Sequence, residues 1–205
     1  MRNSQPERRN AWLLLGWVVY FLLYYLTENL IPIEVCHVIY CPLDDKIPFC
    51  EWFAFFYVGW YGLILFSLIW FLLHNARSFR NLQLYITITQ GFATVIYLLY
   101  PSCQILRPEV FPRENLGTAV MSVLYRLDTN TCVFPSLHVA ISIAIASIWL
   151  RESSAKRWIK ALIVAFCVMV CLSVCFVKQH SVLDVLGAIP VCIAAEWIVF
   201  WRKAK

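Results

Sequence analysis

Three short stretches of this 205-residue chain carry side chains able to do chemistry. The first is Tyr100-Pro-Ser-Cys-Gln-Ile-Leu-Arg107-Pro108. Arg107 is a permanently charged planar fork suited to phosphate oxygens; the plainer alternative is an arginine that meets lipid headgroups. The second is Pro135-Ser136-Leu137-His138. Pro135 suits a helix entry and Ser136 its start. A helix start offers unpaired N–H groups and a positive dipole end, which favour a bound phosphate. His138 falls two residues on, near that anion position; a capping serine and an interfacial histidine are the plainer reading. The third runs from Ser173 through Lys178-Gln179-His180 to Asp184. His180 and Asp184 are four apart and share one face of a predicted helix. A carboxylate beside an imidazole fixes its tautomer and leaves the other nitrogen as a nucleophile or base. Asp184 lies in an apolar run, where an ionisable side chain is costly and by default functional, although a structural ion pair with His180 or Lys178 is the alternative.

Jointly the three stretches supply more than each alone. Arg107, Ser136 and Lys178 form an anion cradle, His138 and His180 are two acid, base or nucleophile groups, and Asp184 orients one of them. Phosphoryl transfer through a covalent phosphohistidine requires such a set. The chain has no Gly-rich phosphate loop and no Cys/His or carboxylate cluster at metal-ligand spacing. The expected chemistry is therefore metal-independent, with no cofactor.

The elements that must position these residues follow from composition. The chain is 61% hydrophobic and 14% charged, against roughly 25% charged in a soluble domain. A water-soluble globule and a disordered chain are both excluded. Nine Trp, ten Tyr and fourteen Phe suit membrane interfaces. The apolar runs are continuous rather than alternating, which speaks against an outer-membrane barrel. A spanning helix needs about 20 apolar residues. Six spans are predicted, at 11–26, 52–73, 82–100, 136–150, 158–177 and 182–201. The expected fold is all-α: one domain over 1–205, a polytopic bundle of six transmembrane helices. A short surface helix is expected at Leu116–Leu127, inside the proline-bearing segment 101–135. The first apolar run has no small-residue cleavage site after it and reads as a retained span.

The basic residues set the orientation. Twelve of the seventeen fall on one side of the predicted bundle: Arg2, Arg8, Arg9, Arg77, Arg80, Arg151, Lys156, Arg157, Lys160, Arg202, Lys203 and Lys205. Lys46, Arg107, Arg113, Arg126 and Lys178 fall on the other. Both termini are therefore expected in the cytoplasm, and all three chemical stretches at the outer face of a cell membrane. The net charge of +5 is used for this orientation and does not point to nucleic acid.

At this point the residues resemble a known family. The ordered set Arg107-Pro108, Pro135-Ser136-x-His138 and Ser173…His180-x3-Asp184 is similar to the motifs of the type 2 phosphatidic acid phosphatase superfamily. That pattern is Lys-x6-Arg-Pro, Pro-Ser-x-His and Ser-Arg-x5-His-x3-Asp. The resemblance implies a six-span enzyme that removes phosphate from a lipid phosphate or pyrophosphate. It implies that His180 is the nucleophile, Asp184 its orienting partner and His138 the acid that protonates the departing oxygen and then activates water. It further implies that Arg107 and Ser136 bind phosphate, Ser136 through its backbone N–H as well as its hydroxyl. Tyr100 stands at the place of the first-motif Lys and Val174 at that of the third-motif Arg. Lys178 is the expected replacement cation, because Lys178-Gln179-His180 with Ser173 is similar to the third motif of sphingolipid phosphotransferases. Two alternatives stay open: a phosphotransferase that passes a phospho-headgroup to an alcohol, and a non-catalytic lipid-binding or transport protein. The expected partners are a membrane lipid phosphate and the bilayer.

Other features have plainer readings. Cys167, Cys171 and Cys175 form one helical stripe, expected at a helix–helix contact. Cys36, Cys41, Cys50, Cys103 and Cys132 lie on the predicted outer side, where a disulfide is possible for some of them. Glu196 is expected to snorkel or to pair with a nearby basic residue.

Overall fold

A computed structural model describes residues 13–201. The predicted start of the first span and six of the orienting basic residues (Arg2, Arg8, Arg9, Arg202, Lys203 and Lys205) lie outside the described residues. Within them, the chain forms seven α-helices: α1 (Leu15–Leu30), α2 (Ala54–His74), α3 (Ala76–Leu99), α4 (Leu116–Leu127), α5 (Leu137–Arg151), α6 (Arg157–Phe176) and α7 (Val182–Glu196). A π-helical turn, Trp197–Trp201, extends α7. Four helical segments are long and apolar enough to cross a membrane: Glu51–His74, Ala76–Leu99, Arg157–Phe176 and Val182–Trp201. The other two predicted spans coincide with the shorter α1 and α5.

α5 is the axle of the bundle. It packs against α2, α3, α6 and α7, and Val139, Ala140, Ile141, Ala144, Ile145, Ile148 and Trp149 are all buried. A helix that is apolar on every side belongs at the centre, and its alanines let neighbouring backbones approach. At 15 residues it measures only about 22 Å, against a hydrocarbon core of about 30 Å. It is short because it begins inside the protein: Ser136 at its N-cap is fully buried.

One expected boundary moves. The third span was expected from 82, but α3 begins at Ala76. The side chain of Asn75 accepts from the N–H groups of Arg77 and Ser78, both at 3.1 Å, and so starts the helix early. The Asn75 amide also donates to Glu152 Oε2 at 2.8 Å, and Ser78 Oγ donates there at 2.9 Å. The α2–α3 and α5–α6 turns are thereby tied at one end of the bundle. Burial opposes the Glu152 charge, but hydrogen bonds from Ser154, Ser78 and Asn75 outweigh it and hold the carboxyl below its usual pKa. Glu196 also sits at this end, paired with Arg151 and accepting from Ser147 Oγ at 2.8 Å.

The opposite end carries the long connections. The expected surface helix is found as α4, closed by a capping box between Asn115 and Thr118. The buried Glu51 receives Asn115 Nδ2 at 2.8 Å and Arg113 Nη1 at 3.2 Å. Gly117 permits that close seat, since a Cβ there would lie 2.8 Å from Glu51 Cγ and 3.2 Å from its backbone carbon. A departure from all-α is small: β1 (His37–Val38) pairs in parallel with β2 (Ser102–Cys103). These two-residue strands lash the α1–α2 connection to the α3–α4 connection.

Candidate functional site

The turn between α6 and α7 is built on one carbonyl. Val174 O accepts from Gln179 N at 3.1 Å and His180 N at 3.0 Å. Ser181 caps α7, and Asp184 completes the capping box. Asp184 Oδ2 accepts from Ser181 N at 2.9 Å and lies 3.2 Å from His180 Nδ1. The predicted pairing of His180 with Asp184 is present, but its cause differs. His180 precedes the helix, so the two do not share a helical face. Asp184 reaches backwards from the first turn, as a capping residue does.

His138 stands in the first turn of α5, its ring centroid 6.0 Å from that of His180. Aromatic rings flank it, with Tyr57 at 4.0 Å and Trp60 at 4.1 Å. Rings at such centroid distances pack in contact with the imidazole. The Tyr57 hydroxyl donates to Asp128 Oδ2 at 2.6 Å. Ser136 departs from expectation in one respect. Its backbone N–H donates to Asp184 O at 3.1 Å, so only its hydroxyl is available to a ligand. That bond joins the second motif to the third.

Arg107 Nε donates to Gln179 Oε1 at 2.8 Å, Nη1 to Tyr125 O at 3.2 Å and Nη2 to Asp128 O at 2.6 Å. Its guanidinium lies over the Tyr125 ring at 4.4 Å. Burial lowers the Arg107 pKa from its usual value, while Tyr125 and Asp128 act in the opposite direction. Two of the five guanidinium N–H groups remain without a partner among the described residues. Those two are one N–H on Nη1 and one on Nη2, since all three guanidinium nitrogens already donate to protein acceptors.

Lys178 is placed differently from the expectation. Its ammonium donates to Asp44 O at 2.7 Å and Ile47 O at 2.6 Å, and its backbone sits in the left-handed region, at φ 56°. It ties down the α1–α2 connection and is not brought to the histidine pair. Tyr100 is likewise elsewhere, stacked on His37 at 4.2 Å. Val174 has a fully buried side chain and contributes its carbonyl alone.

His138, His180 and Gln179 line a cavity of about 920 Å³, with Tyr57, Trp60 and Asp128. Its remaining wall is mostly apolar and aromatic, drawn from α1, α2, α4 and α5. Arg107 is one step removed, joined to the wall through Gln179 and Asp128. Several buried polar atoms here have no hydrogen-bond partner: Ser136 Oγ, His138 Nε2, Gln179 Nε2, Asp184 Oδ1 and Trp60 Nε1. Buried polar atoms are nearly always paired, and three of these unpaired ones belong to residues of the cavity wall: His138, Gln179 and Trp60. Among the described residues no group of three His, Cys, Asp or Glu side chains gathers as a metal site requires.

Gln179, Tyr57, Trp60 and Asp44 were not singled out from the sequence. Gln179 was legible only as the neighbour of His180. The other three reach the site from elements far away in the chain.

A model of the PAP2 superfamily matches residues 79–205. That stretch contains Arg107, Ser136, His138, Lys178, His180 and Asp184 and leaves out Asp44, Tyr57 and Trp60. No curated protein and no solved structure matches the chain.

Proposed function

The chain belongs to the PAP2 superfamily, and on that footing we propose that it hydrolyses a membrane lipid phosphate or pyrophosphate through a phosphohistidine on His180. Membership makes it a protein of phosphatase or phosphotransferase type; the substrate, the residues and the orientation are our reading. The observation that carries it is the shared cavity. His180, oriented by Asp184, and His138, with an unpartnered Nε2, line one apolar space large enough for a lipid tail.

Asp184 holds the proton on His180 Nδ1, leaving the Nε2 lone pair to attack phosphorus. The N–P bond forms as the bond from phosphorus to the lipid oxygen breaks, and His138 gives that oxygen its proton. His138 then takes a proton from water, whose oxygen attacks phosphorus and frees His180. The two open N–H groups of Arg107, the Ser136 hydroxyl and the N–H groups at the start of α5 receive the phosphoryl oxygens. Every step uses side chains of this chain, so activity is expected to survive EDTA.

All six predicted spans cross the membrane in this reading, α1 and α5 included. The basic residues clustered at the Asn75–Glu152 end support a cytoplasmic position for that end and an outer-face position for the site. A lipid then enters sideways while its phosphate meets the polar cluster. Purified protein incubated with a panel of lipid phosphates tests this: free phosphate together with an acid-labile phosphoprotein is expected. A new phospholipid formed from an added alcohol would assign the phosphotransferase reading, and neither product would overturn both.

A further inference from the structure

Asp44 and Asp45 are adjacent in the α1–α2 connection, yet only Asp44 is buried, at 2% exposure. A carboxylate withdrawn from water must be fully hydrogen-bonded, and its partners are specific. Asp44 Oδ2 accepts from Ser181 Oγ at 2.6 Å and Cys41 N at 2.8 Å, and Oδ1 accepts from Val182 N at 2.8 Å. Its backbone carbonyl accepts from Lys178 Nζ at 2.7 Å. Asp44 thus grips residues 178, 181 and 182, on both sides of His180, without touching His180 itself. Its charge also sits on the positive end of α7.

The connection to His180 runs through the cap. Ser181 gives its hydroxyl proton to Asp44 and accepts from Leu183 N at 3.2 Å. Ser181 N–H and His180 Nδ1 share Asp184 Oδ2. Fixing Ser181 therefore fixes the oxygen that orients the imidazole. Nearby, Cys50 N donates to Phe176 O at 3.0 Å, so the same segment is also held to the end of α6.

We propose that Asp44 is a positioning residue for His180, clamping the α6–α7 turn from the α1–α2 connection so that Asp184 holds the imidazole in its Nδ1–H form. The inference rests on His180 as the phosphoryl-accepting group. The substitution Asp44→Asn removes the charge and at least one accepted hydrogen bond while keeping the volume. Two readouts on detergent-solubilised full chain decide it: kinetics with a lipid phosphate, and the ¹⁵N-histidine spectrum, in which His180 is assigned by its loss in His180→Ala. Asp44→Asn is expected to lose the preference for the Nδ1–H tautomer and to lower kcat by about tenfold to a hundredfold, with KM little changed. If Asp44→Asn does not fold, Ser181→Ala, which cuts the link and leaves the carboxylate, is expected to give the same spectral change. An unchanged tautomer, with turnover falling only as folded protein is lost, would overturn the proposal. A wild-type protein inert toward every lipid phosphate would sink the functional reading, while the spectrum would still decide the role of Asp44.

Discussion

The ring of Tyr57 lies against the imidazole of His138 at 4.0 Å, while its hydroxyl donates to Asp128 at 2.6 Å. One side chain thereby links the proposed acid to the loop that holds Arg107, because the Asp128 carbonyl accepts from Arg107 Nη2 at 2.6 Å. The two contacts are separable by mutation. Tyr57→Phe keeps the ring and loses the hydrogen bond, and is expected to raise KM with little change in kcat. Tyr57→Leu removes the stacked ring as well and is expected to lower kcat by roughly tenfold. Steady-state kinetics of the two variants checks the split; equal effects would contradict it.

His180 and His138 are expected to fail differently. His180→Ala forms no phosphoprotein with any substrate. His138→Ala lacks the leaving-group acid and the base for water. With an aryl phosphate, whose leaving group needs no proton, it should still phosphorylate His180 and then stall. A burst of aryl alcohol with an accumulated acid-labile phosphoprotein is the expected signature, and EDTA should leave it unaltered.

Gln179 and Lys178 invite a direct contrast. Gln179 Oε1 holds Arg107 Nε at 2.8 Å, so Gln179→Leu leaves the guanidinium short of one partner and free to turn. A hydrogen bond to a charged group contributes about 1.5–3 kcal/mol, so KM is expected to rise about tenfold or more. Lys178→Met removes an ammonium that serves two backbone carbonyls. It is expected to lower the melting temperature and leave KM nearly unchanged. A large rise in KM for Lys178→Met would return that residue to phosphate binding.

Gly187 marks where α7 meets the segment leading into α5. A Cβ there would fall 2.3 Å from Cε2 of Phe134 and 2.6 Å from its Cζ. Gly187→Ala must push that ring, and with it the Pro135-Ser136 entry to α5. A destabilisation of about 1–3 kcal/mol is expected in thermal unfolding, together with lower turnover in the protein that remains folded.

Hydropathy made much of the bundle legible, since runs of apolar residues of bilayer length admit few alternatives. The α4 helix was readable from its amphipathic run between prolines. His138, His180 and Asp184 were readable because scarce polar residues beside apolar runs stand out. What the sequence did not disclose depends on contacts between distant segments. Nothing local marks Asp44 apart from Asp45, and nothing in the apolar start of α2 distinguishes Tyr57 and Trp60 as neighbours of His138. The contacts of Lys178 were hidden for the same reason. A cation two residues from a histidine suggests phosphate, but its ammonium donates to two carbonyls of another connection. The early start of α3 shows the reverse case, a local signal in Asn75 that hydropathy alone overrides.

The hydrogen bond between Asp44 and Ser181 joins positions 137 apart in the chain. A ribosome delivers the first of these long before the second. The turn that carries His180 therefore gains its Asp44 clamp only after Ser181 and Val182 have been made. In the proposed mechanism, a chain that stops short of Ser181 therefore holds no oriented imidazole and is expected to be inert.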